Sequence, residues 1–595
     1  MWRLIGGGSV TFAASDGEAV TFSSRGSFAD AVGAGSDAQT RYLSRRTAAG
    51  WSTTALTPTP SWDDVQYFFG NLNFDGFSDD LHTAILSAYN LPGFPGATPN
   101  RGNLFLENTE SHALQLISES HFEPTGQLDI SENHWGISRD AKHLSLQARA
   151  RLLPEAPSGV PSVYEWDEGT LRLASILPDG EPASEGAVTF EYEPEAVTPD
   201  GRGVLFLSPP SGAGQLYERV DHQRTVWVSQ PELGGTVEPT PENIQVEDVT
   251  ADGRHILFST TSQLLPEDAN EGRDIYLYSE TPDPASEHNL TLISKSGDAA
   301  FVVGSAADAS RVYFRLEGGD IDLWEEGITR HVVGEVLSEG APNRQSAWNS
   351  WSPGGARVSA DGRYLAFLTA GTPSGDGVHR EMYLFDAERD ELTCVSCPPG
   401  PRTSDATVES SVANGVPSLT LVSLEPRFLS SEATVFFSTG EALVPEDTNG
   451  VSDAYEYSPP SHRLSLLSTG KGSDPASFVE ADTNGSDAFI VTRQRLVSAD
   501  KDESIDLYAV RVDGGFQSPP STPPPCEPSS CQREGSGAPG APLVTSTAYA
   551  PGNRKCSRNR HRARHCGRHP RRRRHHSHPR KPKPGQQHKS RSANR

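Results

Sequence analysis

An all-β fold, a β-propeller of four-stranded antiparallel blades, is what this sequence predicts, on three observations. A Ser/Thr-x-Asp-Gly type of turn leads into an alternating apolar segment that ends in Phe, and variants of this unit return nine times. Successive turns lie 52 to 71 residues apart, whereas a seven-stranded sandwich takes ~100 residues per unit. Hydrophobic residues make up only 35% of 595, while Gly (55) and Pro (46) are abundant, the profile of many short strands joined by turns.

The units run in order along the chain. The first turn, Asp16-Gly17, precedes Val20-Thr21-Phe22, and degenerate turns follow at Ser78-Asp79-Asp80 and Ser138-Arg139-Asp140. Clear copies stand at Thr198-Pro199-Asp200-Gly201-Arg202, Thr250-Ala251-Asp252-Gly253-Arg254 and Ser359-Ala360-Asp361-Gly362-Arg363. Weaker ones stand at Ala307-Asp308, Ser430-Ser431-Glu432 and Asn484-Gly485. Asp-Gly and Asn-Gly accept the positive φ that tight hairpins need. A second strand of Asp-x-Tyr type follows each variable loop, as in Asp274-Ile275-Tyr276 and Glu381-Met382-Tyr383, and then a strand rich in Leu, Val and Ser. One such sheet cannot bury both faces alone, so it must stack on its neighbours around an axis. We expect eight blades, within a range of seven to nine. The last unit passes Ile505-Asp506-Leu507-Tyr508 and reaches Gly514-Gly515 without a fourth strand, while Trp2-Arg3-Leu4-Ile5 is a spare apolar stretch. The N-terminal strand is therefore predicted to complete the last blade and remove its open edge.

Charge divides the chain. The net charge is -27, yet 553–595 carries 17 Lys+Arg, 7 His and no acid, leaving 34 basic against 78 acidic residues in 1–552. We therefore divide the chain into a propeller (1–516), a Pro-rich linker (517–552) and a disordered basic tail (553–595). Arg571, Arg572, Arg573 and Arg574 mark the tail as a polyanion-binding segment. An anionic envelope polymer is its first expected partner and nucleic acid its second, because no aromatic residue is present there to stack on bases. No run approaches the 18 apolar residues of a membrane span. Met1-Trp2-Arg3-Leu4-Ile5-Gly6-Gly7-Gly8 shows no export signal, whereas six cysteines in three close pairs suit an oxidising compartment. We read an exported or cell-envelope protein whose start lies upstream, with the cytoplasm as the alternative.

Three loops share an acidic spacing: Asp268, Asn270 and Asp274; Asp447, Asn449 and Asp453; Asp500, Asp502 and Asp506. Oxygen donors at positions 1, 3 and 7 of a tight loop suit calcium, which takes six to eight oxygens. No bidentate Glu follows at position 12, and the alternative is that these side chains cap their own turn. No motif asks for another cofactor. Cys394 and Cys397 form a Cys-x-x-Cys, but Pro398-Pro399-Gly400-Pro401 follows where a thioredoxin-type site has a helix. A zinc site takes four ligands, and no second Cys-x-x-Cys is present. A local disulfide at the end of a blade strand is expected, and Cys526/Cys531 and Cys556/Cys566 are read in the same way. Gly-x-Ser-x-Gly, the phosphate-binding loop and His-Glu-x-x-His are all missing from the sequence. Loops around Leu91-Pro92-Gly93-Phe94-Pro95 and from Thr403 to Leu419 are the expected binding face for a protein or glycan.

The segments at 198–206, 250–278 and 359–385 resemble WD40-like propeller repeats of the TolB type, which read roughly Ser-Pro-Asp-Gly-Arg, apolar-apolar-Phe, then Asp-Ile-Tyr. The resemblance covers about 1–512. It implies a propeller that serves as a non-enzymatic binding platform, with TolB partners at work in a cell envelope. A hydrolase or lyase using acids along the channel is the alternative function, and nucleic-acid binding through the tail is a third. Cys394-Val395-Ser396-Cys397-Pro398, only two Met and the excess of Arg over Lys resemble large secreted propellers of high-GC bacteria.

Overall fold

The computed structural model describes residues 11–24, 40–56, 72–89, 102–118, 130–190, 196–210, 214–232, 234–235, 244–281, 289–295, 298–334, 355–370, 379–408 and 426–511. All strands fall within the first of two units, 1–521, and the second, 522–595, lies outside the described residues. Nine antiparallel meander sheets follow one another in chain order. We number them as blades 1 to 9: 12–55, 72–116, 130–173, 203–227, 244–292, 300–333, 356–394, 406–466 and 476–511. Nine is the upper end of the predicted range, one more than the eight favoured from the sequence, because every degenerate turn opens a real sheet.

The repeat signature is a cross-strand aromatic pair. Phe22 stands opposite Tyr42, Phe206 opposite Tyr217, Phe258 opposite Tyr276, Phe367 opposite Tyr383 and Phe437 opposite Tyr455. Each pair stacks with ring centroids 5.5 to 5.8 Å apart, the offset geometry that adds about 0.5–1.5 kcal/mol to burial. The tyrosine has a second task. Tyr276 accepts a hydrogen bond from Leu264 N (3.1 Å), and its hydroxyl oxygen lies 3.3 Å from Ser262 O, which pins the loop between two strands. Tyr164, Tyr455 and Tyr508 anchor the equivalent loops of their own blades.

Turn chemistry repeats just as closely. Thr250 donates its hydroxyl to Asp252 Oδ1 (2.7 Å) and accepts from His255 N (3.1 Å), while Arg254 N donates to the same Asp252 oxygen (3.1 Å). Ser78, Ser138, Thr198 and Ser359 do the same with Asp80, Asp140, Asp200 and Asp361. Gly253 turns the chain at φ +66°. Where the sequence lacks that glycine, Leu81, Ala141, Ala309 and Ala433 take the left-handed conformation themselves, at φ +55° to +67°. Such turns are strained, and they persist because the surrounding sheet fixes both ends.

Apolar clusters bridge every pair of neighbouring blades. One joins Leu43 of blade 1 to Phe77 and Leu81 of blade 2, and others continue around the ring to Ala13 and Val20 of blade 1 against Val479 and Phe489 of blade 9. The turns are also linked directly. Ser15 N donates to Asp79 O, Asp79 N to Arg139 O, and Arg139 N to Pro199 O, at 2.9, 2.9 and 3.1 Å. Pro199 has no N–H, so the series halts there. It resumes with Ala307 N to Ala360 O and Ser431 N to Thr483 O, and it returns to the start with Thr483 N to Ser15 O (3.0 Å). The sheets therefore form one closed ring.

The stretch predicted to complete the last blade, Trp2 to Ile5, precedes the first described strand. Phe12–Ala13 pairs with Ala19–Ser24 inside blade 1, and Trp2 to Ile5 lie outside the described residues. Blade 9 has three described strands. A side-chain clasp joins the first and last blades: Asp487 of blade 9, fully buried, pairs with Arg46 of blade 1 at 2.5 Å and with Arg511 at 3.6 Å. Arg46 in turn lies over the Trp51 ring, 4.8 Å from its centroid. The clasp links residues 441 positions apart.

Candidate functional site

The turn ring carries an annulus of acid. Asp16, Asp80, Asp140, Asp200, Asp252, Asp308, Asp361 and Glu432 occupy the same exposed turn position in eight blades, with Asn484 in the ninth. Four of them, Asp80, Asp140, Asp252 and Asp308, are held below the ordinary aspartate range. The Thr250 hydroxyl, with the Arg254 amide and against a smaller burial penalty, keeps Asp252 below the usual range. Ser310 does the same for Asp308 through its hydroxyl and amide.

The three spaced acidic loops separate into two kinds. In blade 5, Asn270 Oδ1 accepts from Gly272 N (2.6 Å), which fixes the amide so that Nδ2 donates to Asp274 Oδ2 (2.8 Å). Ser294 donates to the other Asp274 oxygen (2.6 Å), and Tyr276 donates to Asp268 (2.5 Å). Blade 8 repeats this with Asn449 to Asp453 (2.7 Å), Ser468 to Asp453 (2.5 Å) and Tyr455 to Asp447. In both loops the asparagine amide thus bridges to the carboxylate that opens the next strand. Burial first, and then the neighbouring carboxylate, raise Asp274 and Asp453 above the ordinary aspartate range. In blade 9 Asp502 replaces the asparagine, and Asp500, Asp502 and Asp506 bring their oxygens within 4.8 Å of one another. Tyr508 donates to Asp500 (2.6 Å), and Asp506 is raised by burial and by the two neighbouring acids.

Cys394 and Cys397 are joined as a disulfide, with Cα atoms 5.6 Å apart. Cys526, Cys531, Cys556, Cys566 and Arg571 to Arg574 lie outside the described residues. So do Leu91 to Pro95 and 409–419 of the expected binding loops. Residues 403–408 of the second loop are described. Ser404 N and the Thr403 hydroxyl both donate to Glu441 Oε1, at 2.8 and 2.9 Å.

Two clusters were not visible in the sequence. Between blades 3 and 4, His222 Nδ1 meets Glu165 Oε2 at 2.7 Å and its Nε2 meets Asp167 Oδ2 at 3.3 Å. His143 stacks on His222 at 6.4 Å, its Nδ1 lying 3.6 Å from both Glu165 and Asp167. Glu165 raises the His143 imidazole, with burial opposing. Between blades 4 and 5, Glu218 is 2% exposed and its Oε1 has no hydrogen-bond partner. Burial pushes its carboxyl up to about 8, although Arg202 pulls the other way. Nearby, Glu280 receives Arg202 (3.0 Å) and Arg224. The only sequence signal was Glu in place of an apolar residue two positions after the strand's opening residue pair, at Glu165, Glu218 and Glu456.

The class of protein that the ring and its turns define is the multi-bladed β-propeller. No protein-family model matches the chain, and no curated protein matches it. Among solved structures it is similar to a prolyl endopeptidase, at 13% identity and a TM-score of 0.32, over 70% of this chain and 54% of that one. It therefore spans about half the length of that enzyme. It is also similar to TolB from Acinetobacter baumannii (14% identity, TM-score 0.24, 63% and 79% coverage). An oligogalacturonate lyase in complex with manganese matches at 14% identity and a TM-score of 0.33, with 63% and 90% coverage. TolB proteins thus stand among the structural neighbours, in agreement with the resemblance read from the repeats, and no residue role is transferred from any of them. Among the described residues no helix is long and apolar enough to cross a membrane.

Proposed function

We propose that this propeller is a non-enzymatic binding scaffold of the cell envelope or exterior. Its loop face takes a protein or glycan partner, and its basic tail holds an anionic polymer. The observation that carries this reading is the closed ring. Apolar clusters bridge every pair of neighbouring blades, and Thr483 N to Ser15 O completes the linked turns. Such a frame holds loops of unequal length in fixed relation, which lowers the ordering cost of binding. Replacing 403–419 and 91–95 with Gly/Ser segments should remove partners captured by crosslinking in cells. An unchanged partner set would overturn the proposed face. Deleting 553–595 should abolish salt-sensitive retention on an immobilised polyanion, and retention equal to the full chain would remove the tail from the proposal.

A second reading, a hydrolase or lyase, is favoured by one observation: two imidazoles and two carboxylates meet at His143, His222, Glu165 and Asp167. Groups of that kind in one place suit proton transfer. Under this reading His222→Ala would abolish turnover of a polysaccharide or ester substrate, while the scaffold reading leaves partner capture by that variant intact.

A further inference from the structure

Blade 7 holds a cluster in which the Cys-x-x-Cys segment is backed by a residue distant in sequence. Cys394 ends the outer strand Glu391–Cys394 and stands opposite Tyr383 of the strand Glu381–Asp386. Glu381 opens that strand and is fully buried. Its Oε2 accepts from the Ser396 hydroxyl, and its Oε1 accepts from Arg402 Nε at 2.7 Å. The terminal nitrogen of Arg402 reaches Cys397 Sγ at 3.0 Å. One carboxylate oxygen of Glu381 and the two sulfurs all lie within 4.8 Å of one another.

Charge balance tells what this arrangement selects in each redox state. With the disulfide closed, the Glu381 carboxylate is matched by the Arg402 guanidinium. Opening it gives two thiols, and ionising them as metal ligands adds two negative charges beside a buried carboxylate, with Arg402 as the cation that touches the cluster among the described residues. Uncompensated charge in such a place is costly. A divalent cation restores neutrality. Sulfur and carboxylate ligands at this spacing suit a thiophilic ion, because a tetrahedral zinc with Zn–S of ~2.3 Å holds its ligands about 3.5 to 4 Å apart.

We propose that the reduced protein binds a thiophilic divalent metal ion of the zinc class through Cys394, Cys397 and Glu381, so that blade 7 is a redox-gated metal site. Glu381 supplies the third ligand that a lone Cys-x-x-Cys lacks, a solvent molecule takes the fourth position, and Arg402 stays as counter-charge. A dithiol reductant opens the site. Its thiolate attacks one cysteine sulfur, the Cys394–Cys397 bond breaks, and a mixed disulfide forms. The second reductant thiol then resolves it, leaving two cysteine thiols and an oxidised dithiol. Metal binding displaces two protons from those thiols.

The test uses the full chain with Cys526, Cys531, Cys556 and Cys566 replaced by Ser, so that only blade 7 offers thiolate. Cadmium is titrated into oxidised and phosphine-reduced protein. The sulfur-to-cadmium charge-transfer band is followed, since the histidines of the tail cannot produce it. The oxidised protein should show no band, and the reduced protein should saturate at one cadmium per chain, displaceable by zinc. Cys394→Ser should remove the band, and Glu381→Gln should weaken binding by at least about 10-fold. Should Glu381→Gln fail to fold, zinc-edge absorption on the four-Ser protein at sub-stoichiometric zinc decides: two sulfurs and two light atoms support the site. A first shell of light atoms alone overturns it, as does reduced protein without a band or equal affinity in Glu381→Gln.

Discussion

Replacing Glu218 by Gln isolates one buried carboxyl from everything around it. Glu218 projects from the strand Gln215–Val220 of blade 4, and its Oε1 has no hydrogen-bond partner. Desolvation raises it from 4.5 to about 8, with Arg202 and Arg224 pulling down and Glu280 pushing up. A carboxyl whose folded-state pKa lies above its unfolded value stabilises the fold fully below the unfolded pKa. That advantage is lost as pH rises toward the folded pKa, at about 1.4 kcal/mol per pH unit. The window here runs from 4.5 to about 8. The loss is of order 3 kcal/mol by pH 7 and of order 5 kcal/mol above pH 8. Gln has nearly the same shape and no proton to lose. The assay is reversible urea unfolding of both proteins at half-unit steps from pH 5 to pH 9. The two should be nearly equal at pH 5, and the Gln variant should gain steadily as pH rises. Parallel profiles would falsify the reasoning, because they would mean that Glu218 is solvated or paired in solution.

The remaining predictions concern closure, turns and the acidic loop. Arg46→Ala leaves the buried Asp487 with Arg511 alone at 3.6 Å. It should destabilise the ring by about 3 kcal/mol, the cost of breaking a buried pair, and thermal unfolding that matches wild type would refute the clasp. Gly253→Ala places a Cβ 2.8 Å from Thr198 Cγ2 at φ +66°, and should cost about 1–2 kcal/mol by denaturant unfolding. The reverse change Ala309→Gly, at φ +56°, should raise the midpoint, and a lower one would mean that this turn is unstrained. In blade 9, Asp502→Asn supplies the amide donor found in blades 5 and 8. It should raise Tm in chelator and lower Tm in excess calcium. A rise under both conditions would show that the third loop is a capped turn like the others.

How much the chain announces about itself depends on how far apart its partners lie. The aromatic signature is a pairing within one sheet, Phe258 against Tyr276 or Phe367 against Tyr383, and the Asp252 turn closes within five residues through Thr250. Such contacts are set by period-two alternation and turn chemistry, which every copy of the unit repeats. Blade architecture was therefore readable, while the number of blades was blurred where Leu81 or Ala433 stands at the glycine position. Contacts between blades follow different rules. Arg46 meets Asp487 and His143 meets His222 only after the sheets have stacked. Which of three similar loops keeps three carboxylates together is itself written in the chain, as Asp502 in place of Asn270 and Asn449. Local hydrogen bonds and alternating hydrophobicity are written residue by residue, so sequence alone determined the repeating unit. The burial that pairs or isolates a charge belongs to the whole ring, and only the tertiary structure decided it.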